Sequence, residues 1–383
     1  MNPNAFLDLI FPTKNRWHLI EPTFISLLEQ TNKDFNLLVV DNSDTEEQAA
    51  LAKKLLDKYK DKLSIKYYKT GGLNMLDNWD KGYALSDARY CYLITDKIML
   101  IPQAVALFAS GTAQFPDCNT FLFSSSGPKQ WEQKDSAQLL TKTLDKMDHF
   151  YTACGGSELK PFLKREYKNT LIEKYGRLIH FVGGDVDVIY LALMNNPHYA
   201  TYNEQIVSHN GNVGSVGRSG EYGGAAYLKY LEDHHLDYHN LYPHAPVNIP
   251  NNFNGMYNDL FATAKLCNYP CQVEQINKIN YIIDLYISLI RYSRIYSIHN
   301  DEHFRMLHNY IERNNLQFHP EINRCLWFYG SHYTLKDYRM VLFSRGPAKH
   351  RKISKLLENI FSVKKEGNRK TVRLFGFPVY SKN

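Results

Sequence analysis

"FNLLVVDNSDTEEQAALAKKLLDKYK", residues 35–60, passes from a short apolar run through Asp, Asn, Ser and Thr into a stretch with apolar residues at helical spacing. Glu46 and Glu47 open the helical part and Lys58 and Lys60 close it, the charge order that a helix dipole favours. The stretch reads as one strand, one turn and one helix. The pattern repeats on both sides. "AFLDLIF" (5–11), "LSIKYY" (63–68) and "YCYLIT" (90–95) read as strands, and "WHLIEPTFISLLEQ" (17–30) and "LNMLDNWDKGYALSDA" (73–88) as helices. Strands alternating with helices predict an α/β fold with a doubly wound, mostly parallel sheet. Beyond residue 103 come a helix, the strand "TFLFSS" (120–125), a basic helical stretch near 159–175 and the turn-to-helix segment "HFVGGDVDVIYLALMNN". From about Asn254 to Leu342 the chain is rich in Tyr, Ile, Leu and His with few glycines, which predicts packed helices.

With 383 residues, 44% hydrophobic and 22% charged, the chain has the composition of a globular protein large enough for more than one domain. The expected divisions are 1–215 for the α/β part, 216–342 for a mostly helical region and 343–383 for a basic amphipathic tail. No apolar run reaches the roughly 18 to 20 residues that span a bilayer, and the N-terminus lacks the features of a signal peptide. A cytoplasmic location is the expectation. The six cysteines are dispersed, and Cys267 and Cys271, the only close pair, have no partner pair at zinc-site spacing. Buried, reduced thiols are expected.

Charge is unevenly placed. Residues 343–383 carry eleven Lys and Arg against two Glu, a local +9 within a total of +6, which leaves −3 for residues 1–342. In the tail, "ISKLLENIF" sets its apolar residues on one helical face among basic ones, and the last segment alternates like a short strand pair. No nucleic-acid recognition module accompanies this charge, and the rest of the chain is acidic, so no nucleic-acid partner is expected. An anionic membrane surface is expected instead, with attraction of roughly 1 kcal/mol per basic residue. That places the protein peripherally on the cytoplasmic face of the inner membrane.

The two loops "FPTKNR" (11–16) and "VVDNSDTE" (39–46) put Thr13, Asn15, Arg16, Asp41, Asn42 and Asp44 at the carboxyl edge of neighbouring strands, where α/β sheets bind ligands. Turn and cap chemistry accounts for such residues equally well in either loop alone. Together, the loops resemble the nucleotide-binding opening of glycosyltransferase family 2, in which a "PTYNR"-like loop precedes a helix and a "VVDNGSTD"-like strand end follows. "LDNWDKGYALSDARYCYLITDKIMLIP" (76–102) is similar to the family's Asn-rich helix and the strand that ends in its Asp-X-Asp signature. Asn78 lies on that helix and Asp96 falls on the first aspartate, but Lys97 and Ile98 replace the next two acids.

The resemblance, over about residues 5–215, implies a GT-A-type fold and a nucleotide-diphospho-sugar donor, UDP by preference. It implies donor contacts from Pro12, Thr13, Asn15, Arg16, Asp41, Asn42, Asn78, Asp96 and Lys97. It also implies a divalent cation, Mn²⁺ or Mg²⁺, which the altered signature puts in doubt. Asp96 remains as a metal ligand, with His209 of "YATYNEQIVSHNGNVGS" (199–215) as a second candidate. The alternative is that Lys97 supplies part of the positive charge that a departing diphosphate needs. "VGGDVDVIYLAL" (182–193) is similar to the family's "GEDYDLWLRL", which places Asp185 on the catalytic base and Asp187 on the next acid. The expected activity is inverting sugar transfer to a hydroxyl of a glycan or lipid-linked glycan, in bacterial surface-polysaccharide synthesis. A degenerate transferase fold that binds glycans or scaffolds other enzymes is the alternative, and the altered signature is its support.

Overall fold

The apolar runs at 7–13, 35–41, 65–69 and 90–93 form parallel neighbours: β1 (Leu7–Thr13), β2 (Phe35–Asp41), β3 (Ile65–Lys69) and β4 (Tyr90–Leu93), ordered β3-β2-β1-β4. In this computed structural model, residues 5–124, 127–154, 160–209, 225–296, 301–323, 361–366, 369–374 and 377–382 are described. The chain divides into two units, residues 1–281 and 282–383.

Alternation along each strand sends side chains to two cores. Leu7, Leu9, Phe11, Leu37, Val39, Tyr90 and Tyr92 pack with α1 (Glu21–Leu28), α2 (Glu46–Tyr59) and α4 (Ala104–Gln114). Ile10, Leu38, Val40, Cys91 and Leu93 pack on the opposite face with α3 (Met75–Leu85), α7 (Arg165–Tyr175) and α8 (Asp185–Met194). Helices therefore cover both faces, as near-continuous apolar strands require. The α/β expectation is borne out, with strands and helices close to the predicted ranges.

Beyond β4 the sheet becomes mixed. β5 (Ile98–Leu100) leaves the main sheet, and the order continues β4-β8-β6-β9-β7 through β6 (Thr120–Phe123), β7 (Trp131–Asp135), β8 (Phe162–Lys164) and β9 (His198–Tyr202). β8 is antiparallel to both β4 and β6, while β6 and β9 are parallel. α5 (Ser136–Asp145) and α6 (Met147–Ala153) follow β7. α9 (Ala225–Asp233) and α10 (Asn252–Cys267), which fall in the expected helical region 216–342, belong to the same unit as the sheet.

Two buried charges hold the end of the sheet opposite the loops. Asp8 is fully buried; it accepts hydrogen bonds from Asn36, Ser86 and the amides of Asp87 and Ala88, and it pairs with Lys66 at 3.4 Å. Lys168 on α7, 1% exposed, donates to the carbonyls of Tyr83 (2.7 Å) and Ser86 (2.9 Å), a cation at the C-terminus of α3 where the dipole favours one.

The second unit contains most of α11 (Lys278–Tyr296), α12 (Asp301–Arg313) and an antiparallel sheet of β11 (Phe361–Glu366), β12 (Arg369–Leu374) and β13 (Phe377–Lys382). Three strands thus stand where a strand pair was expected. The amphipathic segment "ISKLLENIF", apart from Phe361, lies outside the described residues. Among the described residues no helix is long and apolar enough to cross a membrane.

Candidate active site

The paired ends of β1 and β2 set Thr13 beside Asp41, and the loops that follow are stitched to each other. Asn15 adopts a left-handed φ of 55°, which Asn tolerates better than most residues. Its backbone N–H donates to Ser43 Oγ at 2.9 Å, its side-chain Nδ2 donates to Asp44 at 2.6 Å, and its side-chain Oδ1 accepts the Asp44 N–H at 3.1 Å. Asn42 donates its N–H to the Thr13 carbonyl and exchanges two hydrogen bonds with the backbone of Leu73. Asn78, on α3, accepts from Thr70 and donates to the Val40 carbonyl. Asn15, Asn42 and Asn78 therefore build the rim. The Thr13 hydroxyl is buried with no hydrogen-bond partner among the described residues.

Asp41 is fully buried at the end of β2. Burial alone would raise its pKa, but hydrogen bonds from Ser43 and Tyr67 outweigh this and hold it below the usual value. One oxygen accepts the Ser43 N–H at 2.9 Å; the other accepts the Tyr67 hydroxyl at 2.8 Å and lies 3.3 Å from Lys69. A donor reaching Asp41 must share it with Tyr67 or Lys69, two residues that the sequence reading did not single out.

Arg16 and Asp96 join the β1 loop to the turn after β4. The guanidinium lies 3.2 and 3.4 Å from the two carboxylate oxygens, with the arginine side chain 28% and the aspartate side chain 7% exposed. Asp96 and Lys97 occupy a turn closed by the Ile98 N–H on the Thr95 carbonyl, and Lys97 is half-buried. β10 (Val207–His209) pairs antiparallel with β5, so the His209 backbone lies opposite Ile98, next to Lys97 in sequence. Asp96, Lys97 and His209 thus come to one place in the chain path, although 112 positions separate Lys97 from His209.

The second acidic constellation opens α8. Asp185 is the first helical residue, half-buried, and accepts the Val186 N–H at 3.0 Å. The turn before it packs on α3: a Cβ on Gly184 would meet Leu76 at 2.9 Å and Trp79 at 3.5 Å, and Gly184 has a φ of +51°. Since α3 follows the parallel strand β3, its first turns lie at the same carboxyl edge as the loops, and Asp185 sits beside them. Asp187 faces inward and is fully buried. It accepts the backbone N–H groups of His180 and Phe181 and the Thr263 hydroxyl (3.0 Å), and its pKa is raised by burial. Asp187 is enclosed by these donors, whereas Asp185 is half-buried. Asp259 on α10, equally buried, accepts the Gly183 N–H at 2.7 Å. No motif signalled Asp259, which lies 74 positions beyond Asp185 in an ordinary helix.

Of the signature's acids one remains, Asp96, and it is paired with Arg16. Among the described residues no three His, Cys, Asp or Glu side chains are grouped to hold a metal ion.

Residues 8–150 match the model of glycosyl transferase family 2. The matched segment runs from β1 into α6 and carries both loops, Asn78 and the Asp96–Lys97 turn; Asp185, Asp187 and His209 lie beyond it. No match was found among curated protein sequences. Among solved structures, residues 1–349 of Staphylococcus aureus TarS are 12% identical, with 96% of each chain covered and a TM-score of 0.41. The mannosyltransferase PcManGT of Pyrobaculum calidifontis, in complex with GDP-Man and Mn²⁺, is 12% identical over 82% of this chain and 87% of its own, with a TM-score of 0.41. Glucosyl-3-phosphoglycerate synthase of Mycobacterium tuberculosis is 12% identical over 70% of this chain and 81% of its own, with a TM-score of 0.37.

Proposed function

We propose that the protein is an inverting glycosyltransferase that moves a sugar from a nucleotide diphosphate, UDP by preference, to a hydroxyl of a glycan or lipid-linked glycan. The observation that carries the reading is the convergence, inside the matched segment, of the β1 loop, the β2 end and the Asp96–Lys97 turn at one sheet edge, tied by the Arg16–Asp96 pair. In this reading Pro12, Thr13 and Asn15 shape the nucleotide cradle. Asp41 accepts hydrogen bonds from base or ribose, and Arg16 and Lys97 face the diphosphate. Asp185 takes the proton of the acceptor hydroxyl as the bond to the anomeric carbon forms. A carboxylate with no large shift suffices, because the hydroxyl becomes acidic only as it attacks. The diphosphate leaves with growing negative charge, which fixed cations stabilise. The acceptor belongs to bacterial surface polysaccharide, and the basic tail brings the enzyme to the cytoplasmic face of the membrane where lipid-linked acceptors lie.

The test is a transfer assay over a panel of nucleotide sugars, paired with thermal shift. A bound nucleotide at a hundred times its Kd stabilises by about 2.7 kcal/mol. Stabilisation and turnover with one donor support the reading. Stabilisation by glycans alone, without turnover of any donor, favours the glycan-binding alternative.

A further inference from the structure

The turn 180–184, which delivers Asp185 to the site, is held from beneath by two carboxylates on two helices. Asp187 of α8 takes the amides of His180 and Phe181, and Asp259 of α10 takes that of Gly183 at 2.7 Å. Three of the amides ahead of the helix are thereby satisfied by side chains rather than by water. Asp259 is itself fixed: its other oxygen accepts from Asn258 Nδ2 at 3.0 Å, and Asn258 is fixed in turn by accepting the His244 N–H at 3.0 Å. One turn further along α10, Thr263 donates to Asp187, so a single helix reaches both ends of the turn. Residue 183 has to be glycine for this contact, since a Cβ there would lie 2.1 Å from Asp259 Oδ2. Gly184, at φ +51°, then bends the chain against Leu76 and Trp79.

We propose that Asp259 is a positioning residue for Asp185: by holding the Gly183 amide it fixes the turn that aims the base at the acceptor hydroxyl. The inference rests on the reading of Asp185 as that base. Asp259 touches neither donor nor acceptor, so its loss should move the chemical step and spare donor binding. Displacement of a reacting group by about 1 Å costs on the order of a hundredfold in rate.

The experiment measures kcat and donor KM for wild type, Asp185→Asn, Asp259→Ala, Gly183→Ala and the Asp259→Ala/Gly183→Ala double variant, each checked for cooperative unfolding. The expected result is a fall in kcat of at least about tenfold in both single variants with donor KM within twofold. The double variant should fall little further, since both changes break one contact. Gly183→Ala keeps the carboxylate, so it reports on the contact even if Asp259→Ala folds poorly. An inactive Asp185→Asn beside undiminished kcat in the folded variants overturns the inference and leaves the reading standing. Wild type inert with every donor overturns both.

Discussion

At the scale of single residues, the site separates enclosed side chains from half-buried ones. Asp187 and Asp185 are two positions apart on one helix, yet one is enclosed by backbone amides and the other stands at the helix opening. Asp185→Asn keeps shape and removes basicity. It should lower kcat by at least about a hundredfold while donor affinity stays the same, as steady-state kinetics and calorimetry would show. Normal turnover would remove Asp185 from the role. The signature turn poses a sharper choice. If fixed cations serve the diphosphate, transfer survives EDTA, and Lys97→Ala and Arg16→Ala each cut turnover strongly. A charge at 4 Å in an effective dielectric near 20 interacts by about 4 kcal/mol before desolvation. If Asp96 instead holds an ion with help from His209, EDTA abolishes transfer and Lys97→Ala is nearly silent.

At the scale of elements, the strands and helices of the first hundred residues were legible because β1, β2 and β4 are buried on both faces and each helix shows one apolar stripe. "WEQKD" (131–135) escaped notice, and "FLK" (162–164) is a strand inside the stretch near 159–175 that reads as helical, where the helix begins only at Arg165. The first alternates exposed polar residues at the sheet's edge, and the second spans three residues, too few for any period to register. The rim was legible through its turn chemistry. The support beneath Asp185 was not, because Asp259 and Thr263 acquire their roles only when α10 packs on α8. That packing carries its own pH signature. Enclosure raises the carboxyl of Asp259 well above the ordinary range, with Asp187 and Asp185 as the neighbouring charges that add to the effect. A folded-state pKa above the unfolded one means that the fold favours the protonated acid. The favourable contribution is complete below about pH 4 and is lost as pH rises through the raised value. Asp259→Asn abolishes this titration. The stability of wild type relative to the variant, read from urea midpoints, should therefore decline as pH rises above the ordinary carboxyl range. A difference that stays constant with pH would mean that Asp259 titrates normally.

At the scale of the whole molecule, charge is divided between a chain body of −3 and a final stretch of +9. A total of +6 spread evenly would give weak attraction to an anionic surface at any orientation; a +9 concentrated in 41 residues would focus any such attraction on one segment. Three short antiparallel strands at 361–366, 369–374 and 377–382 give part of that end a defined backbone, in which Lys364, Lys365, Lys370, Arg373 and Lys382 recur along the strands. Each basic residue near an anionic leaflet contributes roughly 1 kcal/mol, so even half of the eleven Lys and Arg would hold the protein to vesicles at physiological salt. Removal of residues 348–383 should release the protein from vesicles containing phosphatidylglycerol, as read by co-sedimentation, and leave transfer to a soluble acceptor intact. Binding of the full chain should also weaken as salt rises and the screening length falls from about 10 Å at 0.1 M to about 3 Å at 1 M. Salt-insensitive binding would point to apolar insertion in place of charge. Co-sedimentation unchanged by the truncation would move the membrane contact to residues 1–347, where the net charge gives it no electrostatic basis.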